Sequence, residues 1–299
     1  MSTDEFTKEV KAQMMLPKFA TMKQRSPITE FAHLLAEGKP TRAHITRFVK
    51  WMMTQQDNLG HDPFPLYEHL ADGFYRREVH LPKGHVIVGA VHTQESYAIV
   101  MRGKVTVIDE NGARDIEGPC TLTQKAGMQK IGYVHEDCIW LDIHRTEAET
   151  TEQACAELFL DTYDDYDRLD YWNLVDEMGL TEEQVRAITE REDDLIALPQ
   201  EIMKVVEVRP SHIEGNGLFA RIPFRSGDVV APARVGTNRT PAGRYTNHSP
   251  SPNVVAKVHD DVIDFVATRN IDVGDEITVD YRQALDVAQQ LDRRQSCQQ

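Results

Sequence analysis

Cysteine is scarce in this 299-residue chain, where Cys120, Cys138, Cys155 and Cys297 make up the whole supply. No two of them form a Cys-x-x-Cys pair, which excludes a zinc knuckle of that spacing. So few thiols suit a reducing compartment, where disulfides seldom persist. No apolar run approaches the ~18 residues that a membrane span needs. The N-terminal MSTDEFTKEVKAQ is charged and lacks the apolar core of a signal peptide. These absences predict a non-secreted, cytoplasmic protein with no membrane partner. Basic side chains are also in short supply, with 33 Lys and Arg against 48 Asp and Glu for a net charge of −15. A surface this negative repels phosphate backbones, and no local basic patch offsets it, so nucleic acid is not an expected partner. Basic peptides are electrostatically acceptable ones.

The negative charge is concentrated. Residues 147–198 carry 17 acidic and 3 basic side chains, a balance of −14, so the flanking regions are close to neutral. Within this stretch Tyr163, Tyr166, Tyr171 and Trp172 recur every few positions. Thr181 with Gln184 has the spacing of a capping box. Val185, Ile188, Leu195 and Ile196 are expected to form the buried face behind it. The charges themselves read as a solvated helix face, and the segment as an arm or linker.

On either side the hydrophobic period changes. Before residue 76 it is helical. Ser26-Pro27 has the form of a helix start and Gly38 that of a stop. From Thr41, Ile45, Phe48, Val49, Met52 and Met53 follow the spacing of a buried stripe. Over 76–144 the pattern alternates, as in Tyr97, Ile99, Met101 and Val105, Val107, with Asn111-Gly112 as a hairpin signal. Strands return from Ile202 to about Leu285. Two pieces there look alike, LFARIPFRSGD at 218–228 and FVATRNIDVGD at 265–275.

Three runs in this last region carry chemistry: EGNGLFA at 214–220, RYTNHSPSPN at 244–253 and GDEITVDYR at 274–282. Glycines let a backbone approach a bulky ligand and adopt positive φ. In this order the runs resemble the SET domain of protein lysine methyltransferases. The resemblance covers about a quarter of the chain and implies S-adenosylmethionine as cofactor and a lysine-bearing protein as substrate. It implies that Gly215, Asn216, Gly217, Arg244, Asn247 and His248 hold the cofactor, with Arg244-Tyr245 opening a strand. It also implies that Tyr281, closing a strand, points its hydroxyl at the methyl-transfer channel. The chain departs from the family pattern at Pro250, where a cysteine is usual, and at Val279, where an aromatic is usual. The insert between the early strands and the Asn-His strand is reduced to 231–243, and the zinc-binding cysteine cluster that can follow the domain is missing. A channel wall must then come from elsewhere in the chain or from another subunit.

Upstream, AVHTQESYAIVMRGKVTV resembles the first conserved segment of the cupin barrel. His92 and Glu95 sit near ligand positions, but Ala90 and Gln94 stand where further ligands are expected, so no metal is predicted. The expected fold class is α+β. It comprises a helical N-terminal region (1–75), a cupin-like β-barrel (76–146), an acidic helical arm or linker (147–199), a C-terminal minimal SET β-fold (200–285) and a polar tail (286–299). The alternative function is a non-enzymatic assembly module with structural protein partners, and self-association into a homo-oligomer is allowed. The phrase RTPAGRYTNHS resembles uncharacterised tailed-bacteriophage proteins, which would place the chain in a host cytoplasm or a virion. A cupin-type site for a sugar or other small ligand is a third option.

Overall fold

The computed structural model describes residues 26–54 and 64–296. What the sequence predicts for 1–25 and for Cys297 lies outside them. The chain mixes helix and strand and divides after Tyr163 into two compact units.

The first unit opens with α1 (Pro27–Ala36) and α2 (Arg42–Met53). Ser26 caps α1 by accepting from the Thr29 amide at 3.2 Å, and Thr41 forms a reciprocal box with His44 at the head of α2. Ile45 and Phe48 are buried as their spacing predicts, but Met53 is 65% exposed and leaves the stripe. Strand then begins inside the region expected to be helical. β1 (Leu66–Ala71) and β2 (Phe74–Leu81) pair around Asp72-Gly73. Both turn residues have positive φ, the condition for a two-residue turn whose twist matches its strands. The Asp-Gly signal is the physical reason that a hairpin forms here.

There follow β3 (Val86–Val88), β4 (Val91–His92), β5 (Ser96–Asp109), β6 (Gly112–Glu117), β7 (Cys120–Gln124) and β8 (Ile131–Arg145). The predicted Asn111-Gly112 turn joins β5 to β6. The long strands β5 and β8 carry the sheet, in the order β1-β2-β8-β5-β6, with β3 on β8 and β7 on β5. Among the described residues these ladders do not close, so the unit is an open seven-stranded sheet where a barrel was expected. β1 and β6 each pair with one neighbour among the described residues, and the path ends at them. Val79, Leu81, Val100, Val105, Val107 and Val134 form an apolar cluster on this sheet. Helix α3 (Thr151–Leu158) and β9 (Phe159–Leu160) complete the unit, with β9 pairing β4.

Against Phe159, His92 stacks on His144 with ring centroids 5.0 Å apart. Both ring nitrogens of His144 are buried without a hydrogen-bond partner among the described residues. Burial, with Lys130 beside it, pushes the His92 imidazole down to about 3; burial, with His92 beside it, pushes His144 down to about 4. The folded pair is therefore neutral while the unfolded pair takes up protons below 6.5. Stability of this unit is expected to fall as the pH drops from 6.5 toward 4, by at most about 1.4 kcal/mol per pH unit for each ring. Hydrogen exchange of the β5 and β8 amides at pH 7 and pH 5 measures this, and His144→Phe should flatten the dependence.

In the second unit, helix α4 (Tyr163–Glu177), which starts at the boundary, is followed by α5 (Glu182–Thr189). Thr181 and Gln184 form the predicted capping box. The buried face does not follow: Ile188 is 54% exposed, and Leu195 and Ile196 lie beyond the helix, where Leu195 bridges Arg239 and the Ile196 amide donates to its carbonyl. Helix α6 (Gln200–Val205) precedes β10 (Val206–Pro210), β11 (Asn216–Ala220), β12 (Val229–Val235) and β13 (Asn238–Arg239). Then come α7 (Pro241–Tyr245), β14 (Asn247–His248), β15 (Val254–His259), β16 (Val262–Ala267), β17 (Glu276–Val279) and α8 (Tyr281–Ser296). Two four-stranded sheets result, β10-β11-β17-β14 and β13-β12-β16-β15.

Leu218, Ile277, Val279, Ile263 and Phe265 fill the core of this unit, and Leu291 of α8 joins them. Burying each such side chain stabilises by roughly 1.5–3 kcal/mol. The side chain of Gln283 bonds both the amide and the carbonyl of Ala256, satisfying β15 at the sheet edge. Arg244-Tyr245, expected to open a strand, ends helix α7 instead. Thr240 caps that helix through the Gly243 amide and Pro241 presets its first turn. Tyr281, expected to close a strand, is the first residue of α8.

The two look-alike pieces meet about a local dyad. Phe224 and Ile271 occupy equivalent positions and exchange both backbone hydrogen bonds at 2.9 Å. The Gly227 amide donates to Ala267 at 2.8 Å, and the equivalent Gly274 amide to Ala220 at 2.7 Å. Both glycines hold positive φ, which only that residue adopts without strain.

Candidate functional site

The three chemistry-bearing runs converge in the second unit. β14 runs parallel to β17, with Asn247 opposite Thr278 and His248 opposite Val279. Asn253 replaces a length of strand: its side-chain carbonyl accepts from the Thr278 amide at 2.8 Å and its side-chain amide donates to the Glu276 carbonyl at 2.7 Å. The Asn-His-Ser-x-x-Pro-Asn run is thus fastened at both ends to the Gly-Asp-Glu run.

Asn247 ties in the third run. Its side-chain amide donates to the Glu214 carbonyl at 3.1 Å, to the Asn216 carbonyl at 3.4 Å and to Glu276 Oε1 at 2.8 Å. Ser211 also donates to Glu276. Burial raises the Glu276 carboxyl above its ordinary range, and the bonds from Asn247 and Ser211 oppose that shift. A Cβ on Gly217 would run into Glu276 Oε1, so a side chain there would push aside the carboxylate that Asn247 and Ser211 hold. Gly215, at φ 48°, has open space where a Cβ would stand.

His248 is fully buried. Its Nδ1 accepts from the Tyr281 amide at 3.1 Å, and its Nε2 lies 2.7 Å from Asp170 Oδ2. An Nδ1 that accepts leaves the ring proton on Nε2, which donates to the carboxylate. Asp170 Oδ2 also accepts from Arg282 Nη1 at 3.1 Å, and Arg282 reaches Glu177. The His248 bond, followed by that from Arg282, holds the Asp170 carboxyl below the usual range. Tyr281 packs its ring against His248 and edge-on to Tyr171. Its hydroxyl donates to the Thr246 carbonyl at 3.0 Å. Burial, with Tyr171 and Glu276 nearby, raises the phenol far above its ordinary value, so it stays protonated and acts as a donor. Beside it, Thr246 Oγ1 is buried without a partner among the described residues.

Of the seven residues singled out from sequence, Gly215, Asn216, Gly217, Asn247, His248 and Tyr281 form one neighbourhood. Arg244 is directed elsewhere, to the Arg191 carbonyl at 3.5 Å and Glu192 at 3.4 Å. The sequence reading expected helix in this segment but missed the part α4 plays here. Arg168 donates to the carbonyls of His212 and Ile213, and Asp170 and Tyr171 touch His248 and Tyr281. This part of the acidic segment is a wall of the site, not a solvated face. The recurrence of aromatics among its acids was the available signal. A separate groove of the first unit, about 430 Å³ and lined by Thr93, Gln94, Arg145 and Glu157 among others, contains none of these residues.

No curated protein matches the sequence. Solved structures that resemble part of it include KdgF from Halomonas sp., at 14% identity over 31% of this chain and 92% of that one, with a TM-score of 0.26. The cupin domain of Schizosaccharomyces pombe Cnp3 matches at 12% identity over 31% and 72%, with a TM-score of 0.26. A cupin superfamily protein from Desulfitobacterium hafniense matches at 9% identity over 28% and 79%, with a TM-score of 0.25. At these TM-scores the likeness decides nothing about this chain, and none of these structures bears on the bacteriophage resemblance. Among the described residues no helix is long and apolar enough to cross a membrane. The model of the SET domain matches residues 80–282, about two thirds of the sequence and well beyond the 200–285 where its motifs lie. The chain belongs to the SET-domain family.

Proposed function

We propose that the chain is an S-adenosylmethionine-dependent protein lysine N-methyltransferase. The observation that carries this reading is the position of the Tyr281 hydroxyl, on the carbonyl of the residue preceding Asn247-His248. The surroundings suit a cationic ligand. They offer the carboxylate of Glu276, the carbonyls of Glu214, Asn216 and Thr246, the unpartnered Thr246 hydroxyl and open space beside Gly215. When bound, S-adenosylmethionine supplies an electrophilic methyl carbon on a sulfonium. Gly215, Asn216, Asn247 and His248 would hold it. Gly217 serves by letting Glu276 close in, and Arg244 takes no direct part.

Tyr281, held protonated, orients the acceptor amine together with the Thr246 carbonyl, and alignment of this kind supplies much of a transfer rate. The phenol is no base, so the lysine proton leaves to water. Asp164 and Asp167, which help to raise the Glu276 carboxyl, add negative potential that favours a basic acceptor. Isothermal calorimetry is expected to detect binding of the cofactor, and to lose it when Asn247 and His248 are both replaced by alanine while circular dichroism shows the fold retained. An absence of binding at millimolar cofactor removes the proposal. No observation favours the assembly-module alternative.

A further inference from the structure

We propose that Asp170, on helix α4, is a positioning residue that sets the tautomer of His248 and through it the placement of Tyr281. The inference rests on the methyltransferase reading only for its effect on rate.

His248 is a bidentate spacer. Nδ1 accepts the Tyr281 amide, with Asp280 Oδ1 beyond hydrogen-bond reach at 3.9 Å, and Nε2 meets the Asp170 carboxylate. A neutral imidazole has one donor and one acceptor, and only the form protonated at Nε2 satisfies both neighbours. The other tautomer would set two N–H groups against each other at Tyr281 and leave Nε2 and the Asp170 oxygen as two facing acceptors. With the ring fully buried, water cannot repair either mismatch. Asp170 therefore selects the form in which Nδ1 is free to accept.

The amide so held belongs to the first residue of α8. Helix starts leave their first amides without intrahelical partners, and His248 supplies one for Tyr281. Fixing that amide fixes the backbone from which the phenol reaches Thr246. Asp170 acts on the same point a second time, because Oδ2 also accepts from Arg282, the next residue along. One carboxylate oxygen thus governs both neighbours of the Tyr281 side chain. Its source is a helix 78 residues upstream of His248, in the segment that composition marks only as acidic.

The test combines histidine ¹⁵N spectroscopy with methyl-transfer kinetics on the full chain. In the wild type, His248 should show a protonated Nε2 and an unprotonated Nδ1. Asp170→Ala should mix the tautomers and lower kcat at least tenfold with little change in KM for the cofactor. Asp170→Asn, whose side-chain carbonyl can still accept from Nε2, should restore the single tautomer and most of kcat. Arg168→Ala loosens the same helix at His212 and Ile213 and should leave the tautomer single. If Arg168→Ala scrambles the tautomer as Asp170→Ala does, Asp170 only docks the helix and the proposal fails. It fails equally if the Asp170→Ala protein keeps a single Nε2–H form. A wild type that shows the single tautomer and its loss in Asp170→Ala, but transfers no methyl group, removes the enzyme reading and leaves the tautomer assignment standing.

Discussion

Tyr281→Phe is expected to lower methyl transfer by about two orders of magnitude, within the range that a positioned proton-bearing group contributes. The substitution keeps the ring, its packing on His248 and Tyr171, and the backbone amide held by His248. It removes only the hydroxyl that donates to Thr246. Stability should change by about 1 kcal/mol, the net worth of one such hydrogen bond. The two effects separate cleanly. A thermal melt close to wild type with transfer reduced about a hundredfold assigns the hydroxyl to the reaction. Unchanged transfer would falsify the role given to this phenol, because nothing else in the variant has moved.

Gly243→Ala is expected to destabilise the second unit by about 1–3 kcal/mol or more, the usual cost of overpacking. The direction is opposite to what helix propensity predicts, since alanine within a helix gains up to about 1 kcal/mol over glycine. Gly243 lies inside α7, but a Cβ there would stand 2.1 Å from the Ala233 carbonyl oxygen and 2.9 Å from its carbon. Both belong to backbone of β12, where Pro232 and Arg234 on either side pair with β16 and the Ala233 carbonyl accepts from the Thr240 amide, so it cannot swing aside as a side chain would. Because α7 leads directly into Asn247-His248, the same variant should weaken cofactor binding. Urea denaturation followed through Trp172 fluorescence, in a background with Trp51→Phe and Trp140→Phe, reads the stability. A variant as stable as the wild type would show that α7 can slide along β12.

Much of the second unit was legible because its signals are local. Strands recur from Val206 to Val279, inside the region where the sequence suggests them, and the similarity of the pieces at 218–228 and 265–275 reports a real pairing of their turns. Thr181-Gln184, Ser26-Pro27 and Asn111-Gly112 did what their chemistry requires, because a cap or a tight turn depends on a few adjacent groups. Legibility failed where distant chain decides. Ile188 belongs to a helical pattern, yet among the described residues no partner surface covers it. Closure of a barrel depends on which edges find partners, and alternation along single strands carries no information about that. Asp170 is one acid among many until its helix is set beside His248. The family resemblance named the residues around Tyr281 but could not show that Gly217 serves Glu276 or that Arg244 faces Arg191.

The dyad at Phe224 and Ile271 bears on how such a domain can vary. Each arm satisfies amides and carbonyls of the other, so neither half could be excised as a self-sufficient fragment. Reshaping one turn alone would strand its counterpart's polar groups, and any workable change there has to be made twice. New sequence can enter without disturbing this buckle at the turn at 236–237, between β12 and β13, where Thr237 is exposed. Change that spares the buckle is thereby left to the exposed rim of the unit.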